Sequence, residues 1–130
     1  MFGMKRSSVD NNVKNVSDPG PRFIEKERHF IGGCKEIVVL VDTHTEIQYM
    51  TTTSPKSGVL MMYDTLGKPL VSNKPSAKRF FEKNRQLIAG CKEVIVFVDR
   101  LTGVQYLTTT APNSDVIMLR DNDENPLFED

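Results

Sequence analysis

Glu36-Ile37-Val38-Val39-Leu40-Val41 and, after a short break, Ile47-Gln48-Tyr49-Met50-Thr51-Thr52-Thr53 decide the fold. The first run is short, rich in β-branched residues and apolar at successive positions, which reads as a central strand covered on both sides. The second alternates, with Ile47, Tyr49, Thr51 and Thr53 on one face and Gln48, Met50 and Thr52 on the other, as a pleated strand requires. The two should pair as an antiparallel hairpin.

Both runs occur twice. Residues 22–71 return at 79–128, without a gap, at a constant offset of 57 positions. Arg22-Phe23-Ile24-Glu25-Lys26 recurs as Arg79-Phe80-Phe81-Glu82-Lys83, Cys34-Lys35-Glu36 as Cys91-Lys92-Glu93, and Gln48-Tyr49-Met50-Thr51-Thr52-Thr53 as Gln105-Tyr106-Leu107-Thr108-Thr109-Thr110. The differences mostly keep size and polarity, as in Ile37/Val94, Val38/Ile95 and Leu40/Phe97, which is how a buried pattern drifts. A copy of about 50 residues is near the lower limit for a self-supporting core, so the copies should share one. Two copies of one unit are expected to pack about a pseudo-two-fold axis, where any axial site exists once.

Working outward, Asp99-Arg100-Leu101-Thr102-Gly103 suits a type I turn with a bulge, the Asp bonding turn amides and the Gly taking the left-handed position. The first copy has Glu46 in place of that Gly, at a cost of about 1 kcal/mol if the turn is kept. Third strands are expected at Val59 to Tyr63 and Val116 to Arg120, each followed by a tight bend and a short final strand. The bend retains Gly67-Lys68 in the first copy and reads Glu124-Asn125 in the second. The opening segments, 22–31 and 79–88, alternate poorly as strands, and Phe80, Leu87 and Ile88 also suit a helix face ending at Gly90. The fold class is therefore all-β, or mainly β with a short helix before each central strand. It is a tandem pseudo-two-fold repeat of a small antiparallel β-meander. Residues 1–21 read as a flexible N-terminal arm ending in Asp18-Pro19-Gly20-Pro21. Repeat 1 spans 22–72, a linker 73–78, and repeat 2 79–130.

Composition excludes several classes. A formal net charge of zero disfavours a nucleic-acid partner, whose affinity rests on accumulated Lys and Arg contacts to phosphate. The longest apolar run, Ile37 to Val41, is too short to span a bilayer, and the start lacks a signal-peptide core, so a cytoplasmic protein without a membrane partner is expected. Cys34 and Cys91 occupy equivalent positions and are expected to be small buried thiols, with a bridge across the axis as the alternative. With His29 and His44 both in the first copy, no zinc set can be assembled, and no cofactor is expected.

Val98-Asp99-Arg100-Leu101-Thr102-Gly103-Val104-Gln105-Tyr106-Leu107, together with the Gly67-Lys68-Pro69-Leu70 of the first copy, resembles a family of very short uncharacterised proteins from low-GC Gram-positive bacteria and their phages. These typically carry D-x-x-T-G-V-x-Y-L, a glycine-rich stretch and L-D-x-x-G-K-P. The resemblance covers nearly all of each repeat. It implies a strand for each opening segment, a small all-β unit and a phage or prophage setting, with no reaction to transfer. This chain departs from the glycine-rich stretch, carrying Pro55-Lys56-Ser57-Gly58 and Pro112-Asn113-Ser114-Asp115.

Among the duplicated polar residues no nucleophile has a duplicated histidine beside it, so no catalytic triad is expected and the protein reads as a non-enzyme. Asp42 and Asp64, with Asp99 and Asp121, sit at turns where Asp caps backbone amides. Binding is the stronger reading. Arg28, Lys35, Tyr49, Thr51 and Thr53, with their mates Arg85, Lys92, Tyr106, Thr108 and Thr110, offer cations, hydroxyls and an aromatic ring suited to a phosphate-bearing small molecule. Consecutive Thr residues are also simply good strand formers. On this reading a phage protein sequesters a host nucleotide signal at a pseudo-symmetric or subunit interface and so counteracts host defence. The alternative is a protein-interaction module that inhibits a host protein or assembles into a homo-oligomer through exposed β-edges and Val59-Leu60-Met61-Met62.

Overall fold

The computed structural model describes residues 20–33, 35–71 and 78–129. The strands are β1 (Phe23–Ile31), β2 (Lys35–Asp42), β3 (Gln48–Thr52), β4 (Leu60–Met61), β5 (Phe80–Ile88), β6 (Lys92–Asp99), β7 (Gln105–Thr109) and β8 (Ile117–Met118). They form two four-stranded antiparallel meanders with neighbours in chain order, β1-β2-β3-β4 and β5-β6-β7-β8. The described residues contain no helix, so none there is long and apolar enough to cross a membrane.

The opening segments are strands, and the register explains their poor alternation. A bulge lies between Glu25 and Glu27, and its counterpart between Glu82 and Asn84. One extra residue shifts the inward and outward phase midway along the strand, which spoils a period of two read across it. The third strands pair over two residues only, and the final strands are single bridges, Tyr63 to Pro69 and Ile47 to Val71, with the same pair in the second repeat. The β2–β3 turn keeps one geometry in both copies. Glu46 N donates to Asp42 O at 2.6 Å with φ 65°, and Gly103 N donates to Asp99 O at 2.7 Å with φ 78°. The first copy thus holds a non-glycine residue in the left-handed region.

Strand register defines two faces on each sheet. On the first, Ile31, Ile37, Val39 and Met50 share what we call the front, while Phe23, Arg28, Val38, Leu40, Tyr49 and Thr51 share the back. The front of the first sheet packs on the back of the second. One buried cluster joins Ile31, Ile37, Val39 and Met50 to Phe80, Phe97 and Tyr106. His29 meets the Phe80 ring edge-on at 5.2 Å between centroids. Phe80 in turn packs edge-on against Phe97, which stacks on Tyr106.

The duplicated meander is present, but the copies are related front to back rather than by the expected two-fold. A two-fold would pair every contact with its reciprocal. Lys35 reaches Ser114 of the second repeat and is 2% exposed, whereas its mate Lys92 is exposed and does not reach Ser57. Cys91 is also exposed, against the expected burial. It lies at the tip of the β5–β6 hairpin, whereas the first copy's tip at Gly32 is pressed against Arg85 and Ile95. The arm up to residue 19, linker residues 72–77 and Cys34 lie outside the described residues.

Candidate binding face

The back face of each sheet begins with an arginine just before its first strand. Arg79 is fully buried. Its Nε and Nη2 donate to the two oxygens of Asp99, each at 2.9 Å, and its Nη1 donates to Glu27 Oε2 and Gln48 Oε1 of the first repeat, each at 3.0 Å. Burial disfavours the guanidinium charge, but the bonds to Asp99 and then Glu27 outweigh it and hold its pKa above the ordinary value. Arg22 makes the same fork to Asp42 at 2.9 Å, while its side chain is 51% exposed. The bond from Arg22 lowers the Asp42 pKa to about 2, partly opposed by desolvation, with the His44 amide helping.

Both aspartates also cap their turns. Asp42 Oδ1 accepts from His44 N and Asp99 Oδ1 from Leu101 N. Asp64 and Asp121 each accept two amides of the bend that follows them. These carboxylates perform the turn work expected of them.

The candidate ligand residues do not converge on one point. Arg28, Tyr49 and Thr51 lie on the back of the first sheet and Lys35 on its front. The guanidinium of Arg28 is held by both oxygens of Glu25, at 2.6 and 3.0 Å, and by Glu36 at 3.3 Å. Arg85 has the same partners in Glu82 and Glu93, and adds Gly32 O across the interface at 3.2 Å. Their bonded carboxylates raise both arginine pKa values. Thr51 Oγ1 donates to Gly58 O and Thr108 Oγ1 to Asp115 O, tying down the loops that follow β3 and β7.

The Lys35 ammonium is spent on Ala111 O, Ser114 O and Ser114 Oγ, at 2.8 to 2.9 Å. It lines a cleft of about 170 Å³ with Thr53, which Pro112 and Asn113 help to form. Lys92 and Thr110 line the equivalent cleft, also about 170 Å³, with Cys91 and Ala111. Tyr106 is buried and its hydroxyl finds no partner among the described residues; burial pushes the phenol well above its ordinary pKa.

What the sequence did not single out is an apolar groove on the back of the first sheet. Phe23, Leu40, Tyr49 and Val59 line about 400 Å³. Phe23 is 50% and Val59 61% exposed, and Phe23 meets Tyr49 edge-on at 6.2 Å. Their mates Phe80, Phe97, Tyr106 and Val116 are all buried beneath the first sheet. Identical patterns in the two copies carry no signal of which copy is covered, so only the packing reveals this groove.

Residues 22–72, the whole first repeat, match a family described as Family of unknown function (DUF6440). No curated protein and no solved structure matches the chain. The matched segment carries the groove, the arginine fork and the β2–β3 turn.

Proposed function

We propose that this chain is a non-enzymatic binding protein acting through protein–protein contact at the back of its first repeat. The carrying observation is the groove of Phe23, Leu40, Tyr49 and Val59. An apolar centre with Arg22 and Arg28 at its side has the anatomy of a protein interface. A phosphate site needs cations free to bind, and the arginines among the candidates are already forked onto carboxylates of their own sheet. In the phage setting that the resemblance implies, the contact serves either self-assembly or inhibition of a host protein.

A photo-crosslinking phenylalanine analogue placed at position 59 tests this. Irradiation of the purified protein, or of the cells that make it, is expected to give adducts with a polypeptide. Absence of any polypeptide adduct, with a nucleotide-sized mass released on denaturation, would favour small-molecule sequestration instead.

A further inference from the structure

The chain is unfinished at both ends of its stack, and the two unfinished faces are the two halves of the interface it already contains. The internal interface joins the front of repeat 1 to the back of repeat 2. Among the described residues, what stays open is the back of repeat 1 and the front of repeat 2. On that front, Ile88 is 42% exposed and Val94, Val96 and Leu107 are half-buried, whereas their mates Ile31, Ile37, Val39 and Met50 are 0 to 4% exposed. Ile88, Val94 and Val96 line an open groove of about 420 Å³. We infer that a second copy of this chain docks the front of its second repeat onto the back of the first repeat, repeating the internal interface between chains. This rests on the proposed protein contact and names its partner.

The polar groups of the two open faces fit the same pattern. Lys92 is placed to meet Ser54 O and Ser57 of the next chain, as Lys35 meets Ala111 and Ser114. Arg22, forked to Asp42 through Nε and Nη2 as Arg79 is to Asp99, is placed to offer Nη1 to Asn84 and Gln105 of the next chain, the counterparts of Glu27 and Gln48, with a neutral amide where the internal interface has a carboxylate. Gln105 Nε2 is tied to Phe128 O as Gln48 Nε2 is to Val71 O, so the two side-chain amides are held alike.

The steric difference at the hairpin tip is partly compensated. A Cβ on Gly32 would lie 2.7 Å from Arg85 Nη2 and 3.0 Å from the δ-methyl of Ile95. The second repeat has Ala89 at this position, with φ 56° preserving the turn. Its partner on the back of the first repeat is Val38, which lacks that δ-methyl, while the end of the Arg28 side chain, bonded to Glu25 and Glu36, has to move aside together with them. Two loop bonds, Ser54 to Asn113 and Gly58 to Asp115, have no equivalent between chains, because Ala111 and Lys56, and Asp115 and Gly58, would meet there.

A front-to-back contact is heterologous, so it propagates until it closes. Across the internal interface β1 and β5 approach most closely.

Val59→Arg and Ile88→Arg change side chains that are exposed in the single chain, one on each open face, so each variant should fold. Native mass spectrometry and size exclusion of the wild-type protein are expected to give one discrete multiple of the chain mass, and each variant alone a monomer. Mixed, the variants should form a 1:1 pair and nothing larger, because Val59→Arg keeps an intact front and Ile88→Arg an intact back. A wild-type monomer at high concentration would overturn the inference, as would an assembly that survives both variants. So would crosslinks from position 59 that map to residues 1–19 or to a different protein. That last outcome would leave the proposed protein contact standing.

Discussion

Arg79 and Arg22 are each followed by a phenylalanine, make the same bidentate fork to an aspartate and hold the same place before a first strand. One is wholly buried and the other half exposed. The difference lies in neither repeat. It comes from the sheet that covers one copy and leaves the other open, and it extends to Phe80 against Phe23, Tyr106 against Tyr49 and Lys35 against Lys92. Two near-identical meanders thus become a core and a surface by position in the stack, and variants at paired positions separate the two roles.

The largest effect is expected at the arginines. Arg79→Ala strands Asp99 and Glu27 in the interior and should cost about 3–5 kcal/mol in urea unfolding at any protein concentration. Arg22→Ala removes a half-exposed guanidinium and should cost much less within the chain. Any larger loss there should grow with concentration, because it acts through assembly. The aromatic layer comes next. Phe97→Ala empties a fully buried site and is expected to cost about 3–5 kcal/mol, whereas Leu40→Ala, at the matching open site, should leave single-chain stability nearly unchanged and weaken association.

At the lysines, Lys35→Ala leaves the Ala111 and Ser114 carbonyls without their donor and should cost about 1–3 kcal/mol, while Lys92→Ala should alter only assembly. Glu46→Gly relieves a left-handed non-glycine residue and is expected to stabilise by about 1 kcal/mol, with the reverse change Gly103→Glu destabilising by a similar amount.

The smallest contrast is one of pH. The Asp42 pKa falls from 3.8 in the unfolded chain to about 2 in the fold. A depressed carboxylate contributes stability that is fully present above its unfolded pKa and is lost as pH falls through the folded one. Stability should therefore decline between about pH 4 and 2, and Asp42→Asn should flatten part of that decline.

Much of this was legible in the sequence. The central β-branched run, the alternating Thr-rich strand and the Asp-led turns dictate the meander, and the offset duplication dictates that it occurs twice. The opening strands resisted because Lys26 and Lys83 lie in bulges, and a bulge erases the period on which a strand is recognised. The candidate site was less legible. Arg28 and Arg85 looked available because Glu36 and Glu93 become their partners only once the first two strands of each sheet pair, and Glu25 and Glu82 share their face only through the bulge. Lys35 and Lys92 looked equivalent because the sequence holds no record of which sheet lies on top. Arg22 and Arg79, which mark the repeat most plainly, served in the reading only as markers, although their pairing with Asp42 and Asp99 anchors the back face.

Tyrosine nitration with peptide mapping, run across a range of protein concentrations, tests the front-to-back account most directly. Tyr106 is expected to stay unmodified throughout, while Tyr49 reacts in dilute solution and becomes protected as the protein is concentrated. Equal modification of Tyr49 and Tyr106 at every concentration would contradict it.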